Sequence, residues 1–222
     1  MEGFKHVNYG DADAVDKAID ENTGAVIVEP IQGEAGIIIP QQDYLKNLRE
    51  ICDKHSVLMV VDEIQTGCGR TGKFFAFEHS NIKPDIITLA KGLANGLPIG
   101  ATIATEEVAT SLEKGDHGST FGGNPVACSA ANFTIDYIIS KKLMENAASQ
   151  GEYLMNRIHS INSSLVKETR GKGLMIGVEL NNKNDEVIKN CIDKGLLINP
   201  AADKVLRFLP PLVINKEIID DA

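Results

Sequence analysis

The sequence predicts an α/β protein: a mostly parallel sheet region, then a smaller α+β region after about residue 142. Three observations carry this. Short apolar runs of strand length, Gly24-Ala-Val-Ile-Val-Glu29, Val57-Leu-Met-Val-Val-Asp62 and Pro84-Asp-Ile-Ile-Thr-Leu-Ala-Lys91, recur through the first half. A helical pattern separates the first two, which makes a βαβ unit and a parallel pair. Past Ser140 the order changes to a long helix followed by short strands around glycine and proline.

Taken in order, Asp11 to Ile19 reads as a short helix with an acidic cap. Gly24 to Glu29 is a buried strand ended by Pro30. Asp43 to His55 puts Leu45, Leu48, Ile51 and Cys52 on one helical face. Strands to Asp62 and Lys91 follow, then Ile99 to Thr105 as a strand and Glu106 to Leu112 as a helix. Asn124-Pro125 opens a helix through Ile139, with proline in its first turn. Leu143 to Ile161 is one long helix. Leu165 to Thr169 and Leu174 to Leu180 are strands around Arg170-Gly-Lys-Gly173. Asp185 to Lys194 is a helix stopped at Gly195. Leu196 to Ile198 and Val205 to Leu209 are further short strands. Two domains are expected, 1–142 and 143–222.

Composition narrows the function classes. With 22 basic and 31 acidic residues the net charge is −9, which argues against a nucleic-acid or anionic-membrane surface. Charged or turn residues break every apolar run before it reaches membrane-spanning length. The opening Met1-Glu-Gly-Phe-Lys-His6 has no apolar signal core. Cys52, Cys68, Cys128 and Cys191 form no paired motif, so reduced cytoplasmic thiols are expected and no metal site.

The chemistry sits at strand ends. In open α/β sheets ligands bind beyond the carboxyl ends of the strands. Asp62, Gln65 and Lys91 all fall there. An acid, an amide and a lysine in one crevice suit pyridoxal 5'-phosphate: the lysine joins the aldehyde, and the acid keeps the ring nitrogen protonated. An isolated lysine is usually solvated, but Lys91 closes an apolar strand and precedes Gly92-Leu-Ala-Asn-Gly96, where backbone can approach a ligand. Glu34, in Glu29-Pro-Ile-Gln-Gly-Glu34, also lies past a strand end. Ser119 and Thr120 belong to a hydroxyl- and glycine-rich loop that enters a helix, a place for a phosphate or simply an N-cap. Arg207 lies in an apolar strand and needs a partner, either a substrate carboxylate or an internal acid. Gly67-Cys-Gly-Arg-Thr-Gly72-Lys73 fits the spacing of a phosphate loop. Phe74 stands where the magnesium-binding hydroxyl belongs, and the run trails an Asp-Glu strand instead of leaving its own, so an ATPase is disfavoured.

Together these segments resemble the class III (ornithine/acetylornithine-type) aminotransferases, which are fold type I pyridoxal phosphate enzymes. The match runs in chain order through Glu29–Glu34, Asp62–Gly67, Arg70–Gly72, Lys91-Gly92, His117–Pro125, Arg170–Gly173 and Arg207–Pro211. The resemblance implies that Lys91 carries the Schiff base and shuttles a proton. It puts Asp62 on the pyridine nitrogen and Gln65 on the ring 3′ oxygen. Ser119 and Thr120 would contact the cofactor phosphate, Thr120 that of the neighbouring subunit in a homodimer with shared sites. Arg207 would grip a substrate carboxylate, and Glu34 would gate that arginine between half-reactions. Residues 1–142 then correspond to a partial cofactor-binding large domain and 143–222 to the small domain. The run Lys216–Ala222 stops where a terminal helix begins, and the chain is expected to be a C-terminal fragment of the family's length.

The phrases Gly171-Lys-Gly-Leu-Met-Ile-Gly-Val-Glu179 and Gly115-Asp-His-Gly118 favour the acetylornithine branch. The implied reaction moves the terminal amine of N-acetylornithine to 2-oxoglutarate in arginine biosynthesis, in the cytoplasm. Ornithine or 4-aminobutyrate are the alternative donors. From another class, a truncated remnant that folds or dimerises without turnover is the competing expectation.

Overall fold

The computed structural model describes residues 3–222. Met1 and Glu2, the start of the segment read for a leader, lie outside the described residues. The chain divides into two compact units. Among the described residues the first comprises 3–30, 40–65 and 77–134, and the second 31–39, 66–76 and 135–222. The two inserted segments, 31–39 and 66–76, thus group with the later unit, although chain order places them in the earlier region.

The first unit is built on four strands in the order β1 (Ala25–Val28), β2 (Leu58–Asp62), β3 (Ile86–Leu89) and β4 (Ala101–Ala104). β1, β2 and β3 are parallel, and β4 returns antiparallel beside β3. α1 (Ala12–Ala18) starts at Asp11, whose carboxylate accepts from the Ala14 amide at 2.8 Å. α2 (Tyr44–His55) buries Leu45, Leu48 and Cys52, the face its spacing predicts. These meet Val28, Met59 and Val61 in one apolar core. Arg49 of α2 reaches Asp85 at 2.7 Å, and the same Asp85 oxygen accepts from the Met59 amide, which ties the helix to the start of β3. Tyr9 donates to the carbonyls of Glu29 and Pro30, both at 3.0 Å, and fixes the end of β1. Burial pushes the Tyr9 hydroxyl well above the usual tyrosine range.

Strand alternation leaves the other face of this sheet open. Ile27, Val60 and Ile86 share that face by register. Ile27 is 63% exposed and Leu58 36%. A largely parallel sheet normally has both faces covered.

α3 (Glu106–Ala109) is a single turn. α4 (Pro125–Ser140) begins at Asn124, whose side-chain oxygen accepts from the Val126 and Ala127 amides, and runs across the unit boundary at 134/135.

The second unit holds an antiparallel sheet in the order β5 (Val166–Lys172), β6 (Met175–Leu180), β8 (Val205–Phe208), β7 (Asn199–Ala201). β5 runs through Arg170 to Lys172, further than the apolar pattern marks. The strand expected at Leu196 to Ile198 is instead β7, shifted to residues 199–201. Its partner fixes the shift, because Ala201 pairs with Val205. α5 (Leu143–Ser160) packs Ala147 and Leu154 against Leu174, Ile176, Ile214 and Ile219. α6 (Asp185–Asp193) and Ile198 cover Val178, Leu180 and Leu206. The closing run does form a short helix, α7 (Lys216–Asp221), capped by Asn215.

Candidate active site

β2 and β3 deliver the first group of side chains. Asp62 ends β2 and is registered beside Thr88 of β3. One of its oxygens, Oδ1, accepts from the Ile64 amide at 2.9 Å. Among the described residues its Oδ2 has no hydrogen-bond partner. Glu63 points elsewhere: it is 1% exposed, and its carboxylate accepts from the Phe77 amide at 2.9 Å. Asp62 and Glu63 are adjacent in sequence yet differ in kind. One is a half-buried acid with a free oxygen on the sheet's open side, and the other is a buried structural acceptor.

Lys91 follows β3 and opens a 3₁₀ turn, Lys91–Ala94. Its φ is +44°, in the left-handed region where a side chain other than glycine's is uncommon. Such conformations cost about 1–3 kcal/mol and cluster at functional sites. Lys91 is exposed, so this unit's own described residues do not shield it from water. Gln65 is half-buried past the end of β2. Asp62, Gln65 and Lys91 therefore all leave the carboxyl ends of neighbouring parallel strands, where α/β sheets bind ligands.

Ser119 and Thr120 lie in the exposed loop ahead of α4. Ser119 Oγ accepts from the Gly122 amide at 2.9 Å and can still donate its own proton. Thr120 has no hydrogen-bond partner among the described residues. The N-cap work in this loop belongs to Asn124, not to either hydroxyl. An open groove beside them is lined by Ala94, Asn95, Leu97, Val126 and Phe133, and none of the sequence-predicted site residues lines it.

The second unit carries the other predicted pair. Arg207 of β8 and Glu34 form an ion pair at 2.7 Å. The arginine side chain is only 11% exposed, whereas Glu34 is 71% exposed. A shielded fork is thus closed by an acid that remains in contact with water. When the pair opens, Glu34 is rehydrated at little cost, whereas the shielded Arg207 needs another acceptor in its place.

Arg170, to which the sequence assigns no contact of its own, is tied to the turn that follows Glu34. Its Nε and Nη2 donate to the Gly36 and Ile37 carbonyls, with Nη2 to Gly36 at 2.8 Å. Its Nη1 is held by Glu168 at 2.8 Å and Glu179 at 2.7 Å. Hydrogen bonding from Lys167 and then Arg170 keeps the Glu179 carboxyl below the ordinary glutamate range. The segment with phosphate-loop spacing serves packing. Arg70 donates to the Leu174 and Pro210 carbonyls at 3.1 and 2.6 Å, and burial lowers its guanidinium to about 10. No α-helix starts after Lys73, since a five-residue 3₁₀ turn, Ala76–Ser80, follows instead.

The donor set fits pyridoxal phosphate. An uncommitted carboxylate oxygen, a primary amine on a strained turn and two hydroxyls able to donate before a helix are the groups that cofactor requires for its ring nitrogen, aldehyde and phosphate. Among the described residues no helix is long and apolar enough to cross a membrane, and no cluster of side chains could hold a metal ion.

The profile of the family described as Aminotransferase class-III matches residues 5–222. An acetylornithine aminotransferase from Methanopyrus kandleri is 52% identical over 223 residues, covering 99% of this chain and 57% of its own length. Ornithine aminotransferase 2 from Staphylococcus saprophyticus is 47% identical, covering 100% of this chain and 56% of its own. Among solved structures, an ornithine aminotransferase from Toxoplasma gondii, with PLP partially occupying its active site, superposes with a TM-score of 0.96 at 38% identity. That match covers 100% of this chain and 54% of the other. The chain thus spans little more than half the length of these relatives.

Proposed function

We propose, from the premise that this chain belongs to the class III aminotransferases, that it forms the larger part of a pyridoxal phosphate-dependent ω-amine transaminase. The reaction moves the terminal amine of N-acetylornithine, or a similar amine, to 2-oxoglutarate. Residues 1–142 act as part of the cofactor domain and 143–222 as the small domain. A homodimer with shared sites, a cytoplasmic setting and a place in arginine biosynthesis belong to the same reading.

The observation that carries it is Asp62 beside β3 with Oδ2 uncommitted, while Lys91 leaves β3 on a left-handed turn. Bound pyridoxal phosphate supplies an aldehyde and an electron-accepting ring. Asp62 would keep a negative charge at the ring nitrogen, and Gln65 would hold the ring 3′ oxygen. Lys91 Nζ would be the amine that holds the cofactor aldehyde, and its Nζ would take and return the proton on the substrate carbon that bears nitrogen. Ser119 and Thr120 hydroxyls hold phosphate, Thr120 across the dimer. Arg207 binds a carboxylate through its fork, and Glu34 competes for that fork. When Glu34 is paired, Arg207 is masked and a terminal amine enters; when it swings away, 2-oxoglutarate is gripped.

Ornithine is the second donor reading, supported by the ornithine aminotransferase among the relatives. The test supplies the preceding segment of the Methanopyrus kandleri relative, fused upstream, loads the protein with pyridoxal phosphate and adds N-acetylornithine, ornithine and 4-aminobutyrate separately, following glutamate formed from 2-oxoglutarate. Borohydride reduction and peptide mapping accompany it. Label on the Lys91 peptide and preference for N-acetylornithine are expected; label on Lys73 instead overturns the site.

A further inference from the structure

We propose that Arg170 is a positioning residue for the Glu34–Arg207 pair: it holds the turn that presents the Glu34 carboxylate to Arg207. The inference rests on the gate reading above. Its structural basis is a register row. Arg170 of β5 pairs with Gly177 of β6, and Gly177 pairs with Arg207 of β8. Paired residues on neighbouring strands face the same way, so two arginines flank a glycine on one face of this sheet.

The gap above that glycine is filled by the loop that carries Glu34. A side chain on Gly177 would come within 3.0 Å of Ile37 Cβ and 3.3 Å of the Gly36 carbonyl oxygen. Gly36 has φ +113° and Ile37 φ +54°. A β-branched residue in the left-handed region is strained and persists only where its surroundings over-determine it. Here those surroundings are identifiable. Ile37 is fully buried with Ile31 and Met175, and both carbonyls of the turn accept from the Arg170 guanidinium. Glu168 and Glu179 occupy the remaining arm of that guanidinium. One arginine of the row therefore fixes the backbone of the turn, and the other receives the acid three residues before Ile37.

A lysine at 170 keeps the charge but loses the planar fork that reaches two carbonyls and two carboxylates together. The measurements use the holoenzyme completed upstream by the preceding segment of the Methanopyrus kandleri relative, with Arg170→Lys, Glu34→Gln and the double variant. Arg170→Lys should speed hydrogen exchange at the amides of Ile37 and Ile38 while those of β6 stay protected. The preference for a terminal-amine donor over glutamate, as a ratio of kcat/KM values, should fall about tenfold in either single variant and no further in the double. Additive falls, an equal loss for both donors, or unchanged exchange at Ile37 and Ile38 would overturn the proposal. If the wild-type holoenzyme completed by that segment does not transaminate at all, the aminotransferase reading fails. The exchange comparison then still decides whether Arg170 sets the turn.

Discussion

Asp62 stands beside Thr88 in parallel register at the carboxyl ends of β2 and β3. That pairing fixes where the acid leaves the sheet and, three residues beyond Thr88, where Lys91 leaves it. Register at a strand end is stiffer than a loop, so the acid and the amine keep their relation without help from flexible segments.

The first prediction concerns that acid. Asp62→Asn should leave cofactor bound but lower kcat by two to three orders of magnitude. Removing one charge-stabilising group at a developing charge typically costs roughly 3–4 kcal/mol. The amide is nearly isosteric and can still accept from the Ile64 amide, so melting temperature should change little. Single-turnover rates for the loaded enzyme, with the preceding segment of the Methanopyrus kandleri relative supplied, check it, and unchanged turnover removes Asp62 from the role.

A packing prediction distinguishes propensity from contact. Gly151 lies inside α5, where alanine would ordinarily gain about 1 kcal/mol. A Cβ there would sit 1.9 Å from the Gly173 carbonyl oxygen. That neighbour is backbone in a tight turn and no rotamer relieves it. Overpacking of this kind costs about 1–3 kcal/mol or more, so the clash outweighs the helix gain. Gly151→Ala should lower the midpoint of denaturation; a stabilised variant would show that α5 can retreat freely from the turn.

Much of this was legible beforehand, and the misses share a cause. α2 and its buried face follow from spacing, and the parallel strands follow from apolar runs ending at Asp62 and Lys91. The grouping of 31–39 and 66–76 with the second unit does not. Those segments have no periodicity, and their partners, Arg170 for Gly36 and Leu174 for Arg70, lie more than a hundred residues away. Arg170 itself was legible as a motif member but not as a ligand of backbone carbonyls. The run Arg170-Gly-Lys-Gly173 looks like one turn, whereas β5 continues to Lys172 and only Gly173 turns, with φ +56°. The offset of β7 was likewise set by pairing with β8, which apolar content does not encode.

An acid-side prediction follows from Glu179. Its carboxyl is held below the ordinary value of 4.5 by Lys167 and then Arg170. A depressed folded-state value gives a stabilising contribution that is present above the unfolded value and lost as pH falls through the folded one. Exchange protection of the Gly36–Ile38 turn should therefore weaken below about pH 4.5, as Arg170 loses its carboxylate anchor. Glu179→Gln should remove this acid dependence. An identical pH profile in the variant would assign the acid step to other groups.

The last prediction concerns the 222-residue chain by itself. Its parallel sheet has one face packed by α2 and one face bearing Ile27 at 63% exposure and Leu58 at 36%. Exposed apolar sheet surface of this kind seeks a partner. β1 also has only β2 beside it, so its other edge is unpaired among the described residues. Asp62, Gln65 and Lys91 border that face, and Lys91 is exposed. The amine can still react with the aldehyde of the cofactor, but little in this unit fixes the ring against it, and proton transfer depends on that alignment. The isolated chain should bind a hydrophobic dye, self-associate in light scattering, and show no transamination. The relatives are nearly twice as long. Supplying the preceding segment of the Methanopyrus relative, in trans or fused upstream, should quench dye binding and restore turnover. Robust transamination by the isolated chain would mean that this face and the strand ends complete the site unaided.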